Sequence, residues 1–398
     1  MPKKQLSIYL LIILLGGLFW SRALLSMTLL IWAIIAFIQI AKTDPAFFKN
    51  PIFLWSICPL AIWFLGAWQS PFGKPNFDYL LTLTAYPAAV LMVRASPKLL
   101  VEKTWIRIWL IATAISLAYP LYWYFSNFTA ANHAYGTGQS LPTFMDTDHV
   151  RFSIFLCSSF LFLLFSEPFQ KIYKYIFSAF LLILILFLSV RTGWVILLVL
   201  LFMYTAFKYL PSKQNKFKYL LIGSSILLMV VVISYYSFPT IQQKLAYSIW
   251  EWKQFNPAKY EANFSDGTRR DINFVAWENI RNNFSINTGW QGISITIQKS
   301  FPTYFKGQAT EFGWPFNQWL YWWMGSGWWG MLLFSCWLFF PAWKGICEKN
   351  LAIISWTIVI ALTCVVETTL NYQYGVLLHI FPLAMLWKKS ISSESDNS

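Results

Sequence analysis

The sequence predicts an all-α polytopic membrane protein of about twelve spanning helices with one large loop outside the membrane. Composition, the length of the apolar blocks and the placement of basic residues all point to this class. Of the 398 residues, 57% are hydrophobic and only 12% charged. A soluble domain carries about 25% charged residues, so too little polar surface remains here to cover a globule of this size. The apolar residues fall in blocks of roughly 17–20, the length that crosses about 30 Å of hydrocarbon as a helix.

In chain order the blocks place spans near 6–20, 24–41, 51–68, 78–95, 104–122, 150–166, 172–190, 192–208, 218–237, 318–343, 351–368 and 374–387. Helices satisfy every backbone group within one segment, which hydrocarbon requires of a chain with this pattern. The first block does not read as a signal peptide, because it lacks a small-residue cleavage site and leads through Ser21 and Arg22 directly into the second. The expected organisation is an N-terminal bundle of about nine spans (1–237), a large outer loop (238–317), three further spans (318–387) and a polar tail (388–398).

Charge supplies the orientation. With the N-terminus in the cytoplasm and spans alternating, the cytoplasmic segments hold 18 of the 30 basic residues although they are short. Eight of the remaining 12 belong to the long loop, and long loops translocate largely regardless of charge. Both termini are therefore expected in the cytoplasm. The formal charge of +14 becomes mostly a topology signal, because the basic residues are dispersed rather than gathered on one face, and a nucleic-acid partner is not expected. Cys58, Cys157, Cys336, Cys347 and Cys364 show no CxxC spacing, and no HExxH, P-loop or dinucleotide fingerprint occurs. Neither a metal nor a cofactor is expected. No internal repeat supports an inverted-repeat transporter.

Two outer segments break the pattern. One runs from Ser126 to His149 and contains Gly136-Thr137-Gly138 and Asp146-Thr147-Asp148-His149. The other runs from Phe238 to Trp314, too long for an idle connection. Its middle, from Arg269 to Asn283, predicts a helix with Ile272, Val275, Ala276 and Ile280 as the apolar stripe and Ser265 or Asp266 as the cap.

Arg191, in Ser189-Val190-Arg191-Thr192-Gly193, falls between two apolar blocks that leave no room for a loop. A guanidinium beside a helix N-terminus adds to the positive end of the dipole and suits a phosphate. Arg269 and Arg270 also add positive charge to a helix start. A snorkelling interfacial arginine and a solvated basic pair are the plainer readings of the same residues. His149, at the mouth of a span, reads as a helix-entry polar residue or as a base. His379, inside the last span, reads as a functional group or as an imidazole bonded to a neighbouring helix. The tryptophans between Trp314 and Trp329 read as an interface belt or as a platform for sugars.

Four stretches in order resemble the O-antigen ligase family. Ser189-Val190-Arg191-Thr192-Gly193 is similar to its membrane-edge arginine motif, and Arg270 with Trp277-Glu278-Asn279-Ile280 and Thr288-Gly289-Trp290 to its long periplasmic loop. Pro315-Phe316-Asn317-Gln318-Trp319-Leu320, followed by Gly325 through Gly330, resembles its Pro-His-Asn-Gln-Tyr-Leu stretch. Glu367-Thr368-Thr369-Leu370 with Gln373-Tyr374-Gly375-Val376 resembles the acidic and Gln-x-Gly stretch of some members. The resemblance implies a GT-C-like glycosyltransferase in the bacterial inner membrane. Its partners would be an undecaprenyl-diphosphate-linked glycan, a lipid A-core or other glycan acceptor, and membrane lipids. It implies Arg191 and Arg270 as a diphosphate clamp, with Arg269, Asn317, Gln318, Glu367 and Glu311 binding substrate.

One departure stands out. Phe316 occupies the position of the family histidine and cannot accept a proton. Three readings stay open: a base supplied elsewhere, by His149, Asp148 or Glu311; a histidine whose role is orientation only; or a chain that is inert or altered in substrate. A polysaccharide polymerase with the same donor, a polysaccharide transporter and a non-catalytic glycan-binding membrane protein are the alternative functions.

Overall fold

The computed structural model describes residues 3–68, 77–97, 100–145, 148–209, 216–254, 260 and 264–388. Asp146, Thr147 and the tail beyond Lys388, all weighed from the sequence, lie outside these. The described residues form helices without a strand. Eighteen α-helices follow in order: α1 (Lys3–Trp20), α2 (Arg22–Thr43), α3 (Pro51–Trp68), α4 (Phe77–Leu83), α5 (Ala85–Ala95), α6 (Ile106–Ser116), α7 (Ala118–Ser126), α8 (Phe128–Gly136), α9 (His149–Phe165), α10 (Lys171–Phe187), α11 (Arg191–Tyr209), α12 (Lys216–Ser237), α13 (Pro239–Gln254), α14 (Ser265–Asn282), α15 (Gly289–Tyr304), α16 (Gln318–Cys347), α17 (Leu351–Val366) and α18 (Gln373–Leu386).

Among the described residues, three helical stretches are long and apolar enough to cross a membrane: Arg22–Thr43, Leu100–Ser126 and Gln318–Cys347. Shorter apolar helices, among them α1, α3, α9, α17 and α18, pack around them. Several predicted spans are interrupted rather than continuous. The block expected at 78–95 is two helices parted at Thr84, four residues after which Ala88 resumes the ladder to the Thr84 carbonyl. Pro87 explains the break, because it has no N–H for the carbonyl of Leu83 and crowds that turn. Pro120 acts the same way on Ser116, parting α6 from α7. In α16 the break is at Gly327, whose φ of 74° is open to glycine at little cost.

Contacts between helix ends form two groups. At the end predicted to be cytoplasmic, Arg94 pairs with Asp44, and Lys388 donates to the carbonyls of Val93, Arg94 and Ser96 at 2.6, 3.1 and 2.7 Å. Arg107 donates to the Pro168 carbonyl at 2.7 Å. At the opposite end, Tyr135 donates to the Leu188 carbonyl at 2.8 Å and the Met145 amide to the Phe19 carbonyl at 3.3 Å. Between them the core is aromatic. The Trp55 and Trp337 indoles stack at 5.5 Å, each donating to the other's carbonyl. His379 is wholly buried there, with Nδ1 3.0 Å from the Tyr86 hydroxyl, the bond to a neighbouring helix that its position in the last span suggests.

The large loop is a helical layer of α13, α14 and α15 set on the second end. Trp290 of α15 donates to the Trp63 carbonyl at 2.9 Å, and Asn279 of α14 to Ser300 of α15 at 2.8 Å. The predicted stripe of Ile272, Val275, Ala276 and Ile280 is buried as the helical period required. The predicted caps differ. Neither Ser265 nor Asp266 caps α14; the Glu251 carboxylate of α13 accepts from the amides of Asp266 and Gly267 at 2.7 and 2.8 Å. Helix α8 also lies inside the shorter outer segment, where the sequence pattern had indicated none.

Candidate active site

The turn between α10 and α11 aims the first arginine. Ser189 adopts a φ of 53°, and its hydroxyl donates to Thr240, whose own hydroxyl donates to the Phe187 carbonyl. A left-handed serine costs about 1–2 kcal/mol, offset here by two hydrogen bonds at a buried position. The turn leaves Arg191 as the first residue of α11, 28% exposed, where it pairs with Asp266 and approaches the hydroxyls of Ser248 and Ser265 at 3.2 and 3.4 Å.

Helix α14 brings the other two. Arg269 reaches Ser265 at 3.4 Å, Asp266 at 3.9 Å and Glu367 at 3.3 Å. Arg270 pairs with Asp271 at 2.8 Å. The guanidiniums of Arg191 and Arg269 thus meet through Ser265 and Asp266, despite their separation in sequence. All three arginines line one cavity of about 490 Å³, together with Asp266, Asn273 and Glu367. Val150, Val195, Ile196, Leu362, Val365 and Val366 give the same lining an apolar part. The Arg269 Nε and Asn273 Oδ1 atoms are buried there without a hydrogen-bond partner. A polar group so placed costs roughly 1–3 kcal/mol unless something pairs with it.

Glu367 ends α17 and is 12% exposed at its side chain. Burial pushes its carboxyl above the usual carboxylate range, against the pull of Arg269 and Arg151. Burial likewise raises Asp271 to about 6, with Arg270 opposing, and lowers Lys244 to about 8. For Lys244 the positive charges of Arg191 and Arg269 add to the burial, a sign of how cationic this end is. Beside Glu367, Arg151 pairs with Asp148, donates to the Thr368 carbonyl at 3.4 Å and lies 3.9 Å from the centre of the Tyr372 ring.

The other sequence-derived candidates divide. Phe316 stacks on the Arg269 guanidinium, 5.4 Å from ring centre to carbon, so the position matching the family histidine does adjoin the site. Asn317 and Gln318 hold the wall rather than line the cavity. Asn317 caps α16 by accepting from the Trp319 and Leu320 amides and donates to the Val365 carbonyl at 3.0 Å. Gln318 is buried, accepts from the Leu370 amide at 3.0 Å and donates to Asn371 at 2.7 Å. Gly375 belongs to the same support, because a Cβ there would overlap the Thr369 carbonyl. His149 opens α9 half-buried, one residue before the lining Val150. Glu311 is exposed in the loop after α15 and is not part of the lining.

The sequence pattern marks Asp266 only as a cap and singles out neither Glu251 nor Arg151. The signal for Glu251 was available in principle: a carboxylate flanked by Trp250 and Trp252 in an amphipathic stretch needs donors if it is turned inward.

No curated protein matches the chain. A family comparison does: residues 176–335 match the sequence model described as O-antigen ligase, Wzy_C. That segment carries Arg191, Arg269, Arg270, Phe316, Asn317 and Gln318, whereas Glu367 lies beyond it. Through these 160 positions, which include every arginine of the cavity, the chain resembles the O-antigen ligase family, and glycan transfer of the ligase or polymerase type is the function that family implies.

Proposed function

We propose that the protein transfers a glycan from an undecaprenyl-diphosphate carrier to a hydroxyl of lipid A-core at the periplasmic face of the bacterial inner membrane. The observation that carries this reading is the cavity lined by three arginines together with apolar side chains. Arginine forks match phosphate oxygens bidentately, and an apolar wall beside them suits the first units of a prenyl chain.

In this reading the diphosphate displaces Asp266 and Glu367 from the arginines. The acceptor hydroxyl oxygen attacks the anomeric carbon as the bond from that carbon to the phosphate oxygen breaks. The electron pair stays on the diphosphate, whose added charge Arg191, Arg269 and Arg270 stabilise. The hydroxyl proton passes to Glu367, a buried carboxylate that lines the cavity and is freed from Arg269. Phe316 does not take this role, and its ring serves to hold Arg269. The charged groups cluster at one end of the helices, whereas a carrier of polysaccharide across the membrane needs its site near the midplane.

The test is deletion of the gene in its native host, with lipopolysaccharide and carrier-linked glycans resolved by length. Polymer lost from lipid A-core while long chains accumulate on the carrier is expected. Arg191→Ala and Arg270→Ala should each lower transfer about 10²–10³-fold, as loss of a charge-stabilising donor does. Single-repeat products would indicate a polymerase instead. Full complementation by either variant would remove the arginine clamp.

A further inference from the structure

Arg151 follows Val150, which lines the arginine cavity, but is itself outside that lining and only 5% exposed. A guanidinium taken out of water is costly unless its surroundings answer both the charge and the N–H groups. Three neighbours do so. Asp148, just before the same helix, pairs with it. The Thr368 carbonyl accepts from its Nη2 at 3.4 Å. The Tyr372 ring lies against the guanidinium, 3.9 Å from ring centre to carbon, the stacking that a planar cationic head favours. Its Nε is buried without a hydrogen-bond partner, so the contacts that orient the group are those of its outer nitrogens and its face.

Two of the three neighbours belong to one short connection, 367–372. Glu367 stands directly before Thr368, at the end of α17, with its carboxylate in the cavity 3.3 Å from Arg269. Gln318 grips the same connection, accepting from the Leu370 amide and donating to Asn371. The hydroxyls of Thr368 and Thr369 are buried without partners and do not hold it. Fixing the peptide carbonyl next to Glu367 and the ring of Tyr372 therefore fixes the backbone from which the carboxylate projects.

Charge adds to this geometry. The charged and titratable groups around Glu367 are Arg269, Arg270 and Asp266 from α14, Arg191 from α11, Arg151 and His149 from α9, Asp148 at its cap, and Tyr372. From α16 the neighbouring residues are the amides Asn317 and Gln318. Burial drives the Glu367 carboxyl toward its neutral form, Arg269 and then Arg151 oppose it, and Asp148 works against them.

We propose that Arg151 is a positioning residue for Glu367: through the Thr368 carbonyl and the Tyr372 ring it keeps the carboxylate turned into the arginine cavity, able to take a proton. Its place in transfer rests on the reading of Glu367 as the proton acceptor. When the diphosphate claims Arg269, Arg151 stays beside Glu367, because it lies outside the lining and is engaged by the connection itself. Asp148 tempers that charge and anchors α9 by accepting from the Arg151 amide at 3.0 Å.

Infrared difference spectra of the full-length protein in proteoliposomes, from about pH 4 to 8, give the protonation midpoint of Glu367 as that of the carboxyl band which Glu367→Gln removes, and kcat/KM for transfer is read over the same range. Arg151→Met should raise both the midpoint and the acid limb of kcat/KM by about half a pH unit or more, as loss of a nearby opposite charge does. Arg151→Lys keeps the charge but not the planar stack, so both should stay in place while kcat falls about tenfold. Asp148→Asn, which retains a capping oxygen, should lower both and keeps the test decisive if Arg151→Met fails to fold. A midpoint that moves in neither Arg151→Met nor Asp148→Asn, whatever the loss of rate, would make Arg151 a packing residue and overturn the proposal. A midpoint that shifts under an unmoved acid limb, or in protein that transfers nothing, would uphold Arg151 and remove Glu367 as the base of the reaction.

Discussion

Glu367 is a carboxylate held between two opposing demands. Its contact with Arg269 favours the ionised form, and its burial favours the protonated one, with burial the larger. If it takes the acceptor proton, transfer requires it ionised, so the rate should fall on the acid side through a value above the ordinary 4.5 for glutamate. Glu367→Gln should lower transfer by 10²-fold or more and abolish that acid limb, read from kcat/KM between pH 4 and 8 in proteoliposomes. A variant that keeps both its rate and the limb would exclude Glu367 as the base and leave His149 as the candidate. Stability moves oppositely: the protonated carboxyl contributes fully below its unfolded value, and that contribution is lost as pH rises through the folded one. Nothing local in the sequence marked Glu367 for this role, because its partner Arg269 lies 98 residues away. Arg191 was legible for the opposite reason, as a lone cation between apolar blocks demands an explanation from its neighbours alone.

Helix α14 is the element on which the arginine cluster depends. Its buried stripe followed from helical spacing, but its start did not, because its cap comes from another helix. The Glu251 carboxylate satisfies two amides and places negative charge at the positive end of the dipole, close to Arg191, Arg269 and Arg270. Glu251→Ala should therefore loosen the first turn by about 1–3 kcal/mol, the value of hydrogen bonds to a buried charged group. Hydrogen–deuterium exchange across 265–271 should quicken while exchange in α16 stays as it was. Equal protection in both proteins would show that the cap is dispensable. Helices α4, α7 and α16 teach a related lesson. Their breaks at Thr84, Leu117 and Gly327 change hydropathy hardly at all, so a pattern of apolar residues runs straight through them.

Across the whole molecule, the class was readable because lipid imposes it: length, apolarity and the bias of basic residues act over dozens of positions and average out local exceptions. The count of twelve spans depends on details that such averages miss, as the interrupted helices make plain. Sidedness remains open to a simple check. Gln308→Cys, in the outer layer, should react with an impermeant thiol reagent in intact cells, whereas Lys349→Cys, after α16, should react only once the membrane is opened. The reverse pattern would invert the topology and with it the face of the proposed transfer. The arginine cavity was not legible as a whole, since it is assembled from segments far apart in the chain, with α11 joined to α14 and α17.

The ion pairs of Arg191 with Asp266 and of Arg269 with Glu367 have a bearing on turnover. A pyrophosphate group bound by bare arginines would leave slowly, and the spent lipid would poison its own enzyme. Here resident anions compete for the same cations from within the protein, at an effective concentration no diffusing ion matches. For the carrier proposed above they would set a threshold that stray phosphate would not pass and that a prenyl tail, adding its own burial, would. In the transfer proposed above, once the glycan had departed, Asp266, and Glu367 after losing its proton, would compete again for their arginines and hasten release of the exhausted carrier.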